Sequence, residues 1–481
     1  MPSETACWLP MNDGVRLDAQ TLVPDGDAPA GGWPGVVLVH GHGENGSKAS
    51  TLARGRELAD RGYVALCYSV RGQGGSEGLS FHLGARELFD LQDVVAWALA
   101  NLPIHPDRLG VCGSSQGGWH SWMAATHCPQ VATAVPQNIF VDFADFAVPQ
   151  GALSTWFFTR TMRRRVMSAG LQDLARQWAV QGAWDQLAEW QRPLSPCLFA
   201  DRVHCPVLVI HGWHDVGMPA NDLLAMFDRL QVPKRLYLGG GGHDGQDAAT
   251  AERARKALVD RWLDHWLKGD DNGVMDGPAI LYARRPSWAH VGTERLVEDR
   301  RIGLYLHEPG TLGPEPPVGP HPNRNVENVG PRRPYGLAQA LADDLAGTDE
   351  LMPCEVAAFD SAPMADDLDL RGIVRFDLHL LPQRPWFQVH ARLLDVAPDG
   401  TAELITRGHA ADRAAEPGRH RRVVVDARAI AYRVAAGHRL RVEVQNHDAA
   451  YVVPEYRPWR CRLYCEEGRA SCVTLPVLGG G

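Results

Sequence analysis

Three residues of the types that cooperate in nucleophilic catalysis occur along the chain in the order Ser115, Asp215 and His243. A serine hydroxyl attacks a carbonyl efficiently only when a base removes its proton and a carboxylate orients that base. An imidazole and a carboxylate supply these two functions. The segments that surround the three residues therefore decide whether a single site can hold them.

Ser115 lies at the centre of residues 113–117, Gly-Ser-Ser-Gln-Gly, which fit the Gly-x-Ser-x-Gly pattern. The pattern follows a predicted strand at 108–112 and precedes a predicted helix at 118–126. A nucleophile elbow requires this strand–turn–helix setting, because its serine sits in a strained turn. Side chains two residues before or after that serine would collide with neighbouring backbone. Only Ser115 has glycine at both of these positions, so the pattern predicts Ser115 as the nucleophile.

The predicted acid and base follow two further apolar runs. Asp215 comes just after the strand predicted at 206–210, and His243 lies in a glycine-rich loop after the strand predicted at 234–238. Ligands of open α/β sheets bind at the carboxyl ends of the strands, where both residues fall. The order serine, acid, histidine is the order found in α/β-hydrolases. We therefore expect Asp215 to orient His243 and His243 to act as general base.

Three other residues compete for these roles. Asp244 adjoins His243, but neighbouring residues seldom place their side chains so that one orients the other. Asp201 precedes its strand and would lie at the wrong end of the sheet. His214 would be the base if Asp244 were the acid, although this reverses the usual order.

A tetrahedral intermediate also needs two hydrogen-bond donors for its oxyanion. The backbone N–H of Gln116, directly after the nucleophile, is the first candidate. The second is the backbone N–H of His42, in the loop after the strand predicted at 35–40. His40 and His42 also raise the question of a metal, but no carboxylate motif accompanies them. We therefore predict neither a metal nor a cofactor.

The elements that would position this site form an α/β domain. Before about residue 275, short apolar runs without alternation are interspersed with helical patterns, which indicates a mostly parallel sheet covered on both faces. The sequence predicts this α/β-hydrolase domain at residues 1–142 and 200–276. The strands are expected at 35–40, 63–68, 108–112, 131–136, 206–210 and 234–238, and helices around 88–98, 118–126 and 250–267.

Residues 143–199 interrupt this alternation of apolar runs and helical patterns, and they predict a helical cap over the pocket. Its aromatic residues either line that pocket or form the core of the cap itself. They are Trp156, Phe157, Phe158, Trp178, Trp184 and Trp190. The cationic run at 163–165 would pair with a substrate carboxylate or form a solvated helix face.

Residues 277–481 predict a second domain, an all-β jelly roll. Proline and glycine crowd an irregular linker at about 306–350, and period-two runs such as 376–380 and 440–444 follow it. Regular turns, including Pro-Asp-Gly at 398–400, are typical of a β-sandwich.

Composition narrows the function further. The chain has 481 residues and a formal charge of −9, which argues against a nucleic-acid partner. No apolar run approaches the roughly 18 residues that a membrane span needs. The first residues do not resemble a secretory signal, and the ten cysteines are dispersed in apolar runs, so we expect a reduced, cytoplasmic protein. A homodimer is compatible with the sequence.

Several segments resemble the cocaine esterase and X-Pro dipeptidyl-peptidase (CocE/NonD) family of α/β-hydrolases, which includes α-amino-acid ester hydrolases and glutaryl acylases. They include the opening strand pair at 11–17, the Arg-Gly-x-Gly-x-Ser-x-Gly loop at 71–78, the nucleophile turn at 113–118, the end of the catalytic domain at 266–274, and residues 434–441 of the last domain. The resemblance implies the triad named above, a helical cap and a C-terminal jelly roll that walls the site. One departure stands out: several of the family's esterases place a Pro-Tyr pair after the first long strand, where this chain has Gly41-His42-Gly43.

These observations predict a serine hydrolase that cleaves an ester or amide of a small molecule through an acyl-enzyme, with an apolar or aryl acyl group. An X-Pro dipeptidyl-peptidase-like aminopeptidase and an acyltransferase with the same triad remain alternatives. So does a non-catalytic binding protein whose jelly roll carries the function.

Overall fold

Two β-sheets organise the chain in a computed structural model. The structure describes residues 1–43, 46–162, 168–243, 249–296, 300–332, 336–338, 340 and 352–478. A ten-stranded sheet belongs to the first part of the chain, and a thirteen-stranded sheet with a small separate hairpin belongs to the second. The predicted fold class, an α/β-hydrolase domain followed by an all-β domain, is confirmed.

The first sheet is parallel at its centre and antiparallel at its edges. Its strand order is β1-β2-β4-β3-β5-β6-β7-β8-β9-β10, and every pairing from β4 through β3 to β9 is parallel. The carboxyl ends of the central strands therefore meet at one edge. The strands are β1 Ser3–Pro10, β2 Arg16–Val23, β3 Trp33–Val39, β4 Val64–Tyr68, β5 Ile104–Ser114, β6 Val131–Gln137, β7 Val207–Gly212, β8 Lys234–Gly239, β9 Ile280–Arg284 and β10 Ala289–Thr293.

Helices cover both faces of this sheet, as the unbroken apolar strands predict. One apolar cluster contains Leu58, Val259 and Trp262, and a larger cluster on the other side contains Leu91 and Trp119. No helix in the described part of the chain is long and apolar enough to cross a bilayer. The α-helices are α1 Ala49–Asp60, α2 Ala85–Asn101, α3 Gln116–His127, α4 Phe143–Ala147, α5 Ala169–Gln181, α6 Trp184–Glu189, α7 Asn221–Arg229 and α8 Ala249–Leu263.

The first sheet extends past residue 276, where the sequence predicted the second domain to begin. Strand β9 pairs in parallel with β8, and β10 pairs with β9, so residues 280–293 complete the first sheet. Gly277, just before these strands, has a φ of +77°, and the chain turns there without leaving the sheet. A pattern of short strands and turns does not distinguish a new domain from the last strands of the previous one.

The predicted cap consists of short helical segments between β6 and β7. Besides α4, α5 and α6 it contains a π-helix at Phe157–Met162 and 3₁₀ turns at Pro149–Gly151, Arg192–Leu194 and Pro196–Arg202. Phe157 and Phe158 are buried, and the rings of Trp178 and Trp190 lie 6.5 Å apart. These aromatic side chains form the core of the cap.

The second domain is built from β-strands. Apart from the parallel pairing of β12 with β14, its strand pairings are antiparallel. Its strands are β11 Arg300–His307, β12 Thr311–Gly313, β13 Arg324–Asn328, β14 Val356–Asp360, β15 Leu368–Gly372, β16 Arg375–Pro382, β17 Phe387–Val396, β18 Ala402–Asp412, β19 Arg421–Asp426, β20 Ile430–Val434, β21 Arg439–Gln445, β22 Trp459–Leu463, β23 Cys465–Glu466, β24 Arg469–Ala470 and β25 Cys472–Val477.

The predicted strands at 376–380 and 440–444 lie within β16 and β21, and the predicted turn at 398–400 joins β17 to β18. The linker predicted at 306–350 is less irregular than its composition suggests, because β12 and β13 lie inside it. Residues 333–335, 339 and 341–350 of that linker lie outside the described chain.

The second domain also holds the cap in place. Ser154 and Val452 form an isolated antiparallel bridge, and the Thr155 hydroxyl donates a 2.8 Å hydrogen bond to the Ala449 carbonyl. The Nε2 atom of buried His409 lies 2.7 Å from the Pro149 carbonyl oxygen. The cap is therefore fixed from both domains.

Candidate active site

Ser115 occupies a strained turn between β5 and α3. Its φ of 56° and ψ of −121° lie outside the regions that side chains usually adopt. A Cβ atom at Gly117 would lie 2.1 Å from the Val39 carbonyl oxygen, and one at Gly113 would lie 2.6 Å from the same atom. Both glycines are therefore required, because the turn packs directly against the end of β3.

The structure brings the three residues of the predicted triad together. The Nε2 atom of His243 lies 3.0 Å from the Ser115 hydroxyl oxygen, and Nδ1 lies 2.6 Å from Oδ2 of Asp215. Residues 115 and 243 are 128 positions apart in the chain. The hydroxyl, the imidazole and the carboxylate therefore form one hydrogen-bonded line.

Asp215 is fixed by the turn that follows β7. Its side chain is buried, and its Oδ1 atom accepts hydrogen bonds from the backbone N–H groups of Gly217 at 3.2 Å and Met218 at 3.0 Å. One carboxylate oxygen is thus held by backbone and the other faces His243. A Cβ atom at Gly212 would lie 2.2 Å from the Gly241 carbonyl oxygen, so glycine there allows the two loops to approach.

The two predicted oxyanion donors lie beside the nucleophile. His42 and Gln116 line the same pocket as Ser115. Gln116 is the first residue of α3, where backbone N–H groups have no partner within the helix. The Gln116 side chain is buried and accepts a 2.8 Å hydrogen bond from the Gln73 amide, so it does not face a substrate freely.

Backbone groups hold the imidazole ring of His40. Its Nε2 atom accepts a 2.9 Å hydrogen bond from the Val70 N–H, and its Nδ1 atom lies 2.7 Å from the Gly41 carbonyl oxygen. Burial lowers the pKa of His40 to about 4, so its ring is neutral near pH 7. Both nitrogens are engaged by backbone, which leaves neither for a metal ion.

The pocket in front of Ser115 encloses about 610 Å³ including its mouth. Its wall combines apolar and polar side chains. The indole of Trp156 lies edge-on to the His243 ring with a centroid distance of 4.8 Å. The Arg160 guanidinium lies 4.8 Å from the Trp156 ring centroid, in a cation–π contact. The apolar lining comprises Leu83, Ile139, Phe140, Phe146, Trp156 and Met218.

Two of the three competing candidates, Asp201 and His214, have other environments. Asp201 is exposed and pairs with Arg229 at 3.1 Å on the surface. His214 packs against Trp288 with ring centroids 5.2 Å apart, and burial lowers its pKa to about 4. Asp244 and the cationic run at 163–165 lie outside the described residues.

Sequence reasoning missed which aromatic residue faces the site, and it missed His82. Of the six cap aromatics singled out, Trp156 contacts His243 and lines the pocket. His82 also lines the pocket, and His82 and Leu83 have positive φ values of 56° and 65°. Neither residue is a glycine, so the sequence carries no signal of this backbone conformation.

The Arg-Gly-x-Gly-x-Ser-x-Gly loop supports the site from behind. Buried Arg71 donates two 2.6 Å hydrogen bonds to the Asp90 carboxylate, and it also pairs with Asp13 at 3.0 Å. Gln73 of the same loop holds the Gln116 side chain. The loop therefore connects the opening strand pair and α2 to the turn of the nucleophile.

The fold and this arrangement define an α/β-hydrolase with a Ser–His–Asp site. Two family models match overlapping parts of the chain: the X-Pro dipeptidyl-peptidase (S15 family) model matches residues 13–245, and the X-Pro dipeptidyl-peptidase C-terminal non-catalytic domain matches residues 229–460. The chain is therefore a member of the X-Pro dipeptidyl-peptidase family of α/β-hydrolases, and the resemblance seen in the sequence is confirmed.

Similar proteins include a putative Xaa-Pro dipeptidyl-peptidase of Streptomyces avermitilis, 25% identical over 70% of this chain and 53% of that protein. Another is dipeptidyl peptidase family member 6 of Caenorhabditis elegans, 27% identical over 67% of this chain and 46% of that protein. The chain thus spans about half the length of these curated relatives.

Solved structures of the same fold cover nearly the whole chain. An aminopeptidase from a marine sediment Thaumarchaeota archaeon has a TM-score of 0.77 at 17% identity, covering 99% of this chain and 97% of that one. A CocE/NonD family hydrolase from Staphylococcus aureus has a TM-score of 0.76 at 14% identity, covering 98% of this chain and 93% of that one. At this identity the likeness concerns the fold.

Proposed function

We propose that the protein is a serine hydrolase that cleaves an ester or amide bond of a small molecule through an acyl-enzyme. The observation that carries the proposal is the line of Ser115, His243 and Asp215, with distances of 3.0 Å and 2.6 Å between successive partners. His243 Nε2 takes the proton of Ser115 as its oxygen attacks the carbonyl carbon, and Asp215 stabilises the imidazolium that forms.

The same imidazolium then protonates the leaving alcohol or amine, which departs with the electrons of the broken bond. Water enters, loses a proton to His243 and attacks the carbonyl carbon of the ester formed on Ser115. The bond between that carbon and the Ser115 oxygen breaks, the acid leaves, and His243 returns the proton to the serine oxygen. The backbone N–H groups of His42 and Gln116 are proposed to hold the oxyanion in both halves of the cycle.

The acyl group is proposed to be apolar or aryl. Leu83, Ile139, Phe140, Phe146 and Trp156 surround the space in front of Ser115, and burial of apolar groups against them favours such a substrate. We also propose a reducing, cytoplasmic location, which the ten free cysteines support.

The aminopeptidase alternative is less well supported by the pocket. A free α-amine calls for a carboxylate partner, and no Asp or Glu of the described chain lines the pocket, whereas the Arg160 cation does. Turnover of X-Pro 4-nitroanilides measured beside 4-nitrophenyl esters and simple anilides decides between the two. An acyltransferase would form the ester or amide of an added alcohol or amine in preference to the free acid.

The proposal is tested by replacing Ser115 with alanine and comparing this variant with Ser114→Ala. Ser115→Ala should abolish both ester hydrolysis and labelling by a fluorophosphonate, while the melting temperature stays close to that of the native protein. Ser114→Ala should keep the label, because Ser114 is the last residue of β5 and its hydroxyl is not the one bonded to His243. Substantial hydrolysis by purified Ser115→Ala protein would overturn the assignment.

A further inference from the structure

A second cavity lies between the two domains, on the far side of the loop that carries Asp215. It encloses about 920 Å³ including its mouth. Trp213, His214 and Val216 of the first domain form one wall, and β18, β20 and the segment before β20 form the other. Arg285 crosses between them, because its backbone pairs with Tyr432 of the second domain.

The walls of this cavity combine apolar surface with three arginines. Two of these cations are neutralised: Arg285 pairs with Glu403, and Arg407 donates to both carboxylate oxygens of Asp448 at 2.7 Å and 2.8 Å. The apolar surface comes from Trp213, Val216, Leu404, Ile405, Ala429, Ile430 and Ala431.

Arg428 is the exception among the three. It is 9% exposed, yet it forms no ion pair with a carboxylate anywhere in the described chain. Its guanidinium donates to the Val216 carbonyl and lies 3.9 Å from the Tyr451 ring centroid. Burial, and after it the neighbouring Asp222, raise the pKa of the Asp145 carboxyl, which weakens Asp145 as a counter-ion for Arg428. A buried cation without a counter-ion is costly, and an anion in the cavity would offset that cost.

Hydrogen-bond donors accompany this unpaired charge. The Nε atoms of Arg285 and Arg428 and the Nε2 atom of His214 are buried, and none of them has a hydrogen-bond partner among the described residues. His214, Arg285 and Arg428 all line the cavity. Burial, and after it the charges of Arg285 and Arg428, lower the pKa of His214 to about 4. His214 is therefore neutral near pH 7 and contributes hydrogen bonding without charge.

We propose that this cavity binds a small organic carboxylate with an apolar or aryl body. Arg428 provides the counter-charge, His214 and Arg285 provide hydrogen bonds, and the apolar wall takes the body of the molecule. Polar groups set among apolar walls are the usual composition of a small-molecule site. The cavity is separate from the pocket of Ser115, since the two share no lining residue.

Binding there has a consequence for the reaction, and this step rests on the proposed function. His214 and Val216 flank Asp215 in the chain, so a ligand that contacts them stabilises one arrangement of the loop that orients His243. Hydrolysis of an apolar ester releases an acid of this same class. The acid should therefore change kcat from the second site, whereas an acid that only competes in the pocket of Ser115 would raise KM alone.

The experiment uses 4-bromophenylacetate, with 4-bromophenylacetamide as the uncharged control. Calorimetry should show that the full-length protein binds the acid and binds the amide at least about tenfold more weakly. Arg428→Gln should weaken acid binding about tenfold, Arg428→Lys should restore most of it, and Arg160→Gln, a change in the pocket of Ser115, should leave it unaltered. Protein labelled at Ser115 by a fluorophosphonate should still bind the acid.

A crystal of the native protein soaked in 4-bromophenylacetate gives a measurement that does not depend on whether a variant folds. Anomalous bromine density between Arg428 and the apolar wall is expected. Bromine density only in front of Ser115 would overturn the proposal. So would binding of the acid that is lost on labelling of Ser115, or lost in Arg160→Gln, while Arg428→Gln still binds it. Failure of the proposed function is a separate outcome, because it would appear as a protein that the fluorophosphonate does not label.

Discussion

The indole of Trp156 meets the imidazole of His243 edge-on, with their ring centroids 4.8 Å apart. Trp156 belongs to the cap, whereas His243 follows β8 of the first domain. The space for the Trp156 ring depends on Gly217, where a Cβ atom would lie 2.4 Å from it. The cap, the turn that holds Asp215 and the general base are therefore packed as one unit.

Replacing Trp156 by alanine should reduce kcat/KM for 4-nitrophenyl butyrate about fivefold, because an aromatic contact of this kind contributes about 1 kcal/mol beyond burial. Trp156→Phe should lose less, since it keeps an aromatic edge beside His243. Steady-state kinetics with Trp8→Phe as a control would check this, as Trp8 is a 46% exposed residue of β1. Equal kinetics for Trp156→Ala and native protein would show that the contact has no part in the reaction.

The carboxylate assignment predicts different results for two aspartates. Asp215→Asn should lower kcat by about 10⁴, because the amide no longer stabilises the imidazolium or fixes its tautomer. Asp201→Asn should change kcat less than twofold, since Asp201 pairs with Arg229 at the surface. Rates would be measured at pH 7.5 on proteins of equal melting temperature. Comparable losses in the two variants would refute the assignment.

The close packing of the nucleophile elbow predicts that Gly117 tolerates no side chain. Gly117→Ala should lower the free energy of unfolding by about 3 kcal/mol or more, because its Cβ atom would lie 2.1 Å from backbone. Gly170→Ala, in α5, meets no atom within 4 Å and should stabilise the protein by about 0.5–1 kcal/mol. Chemical denaturation of both variants tests the difference. A Gly117→Ala protein as stable as the native one would contradict this packing.

Buried histidines predict loss of stability in acid. Burial lowers the pKa of His409 to about 4, below its ordinary value of 6.5, so the unfolded chain binds more protons than the folded chain between these values. The contribution of His409 to the free energy of unfolding is fully present above pH 6.5 and is lost as the pH falls toward 4. For His409 alone the loss between pH 7.5 and pH 5 should be about 2 kcal/mol.

His409→Gln should flatten this dependence, because glutamine does not titrate. His204→Gln serves as the control, since His204 is exposed. Urea unfolding at pH 5 and pH 7.5 measures the four free energies needed for each comparison. A native-like pH dependence in His409→Gln would mean that other groups dominate the acid response.

Local sequence determined most of the first sheet and the nucleophile turn. Apart from the exposed first half of β5 and the start of β8, the strands β3–β8 are apolar runs buried on both faces, so their composition indicates their place. Gly113 and Gly117 mark the turn because glycine is the residue that fits against Val39. The same sequence rules predicted the roles of Ser115, Asp215 and His243 from their order along the chain. The distances between these side chains depend on the tertiary fold.

Tertiary structure decided what depends on contacts between distant segments. Four features arise from such contacts. They are the placement of Trp156, among the cap aromatics, beside His243, the positive φ of His82, the pairing of β9 and β10 with the first sheet, and the unpaired charge of Arg428 between the domains. A sequence pattern records the preference of each segment for a helix, a strand or a turn. It does not record which surfaces meet, because that is set by the packing of the whole chain.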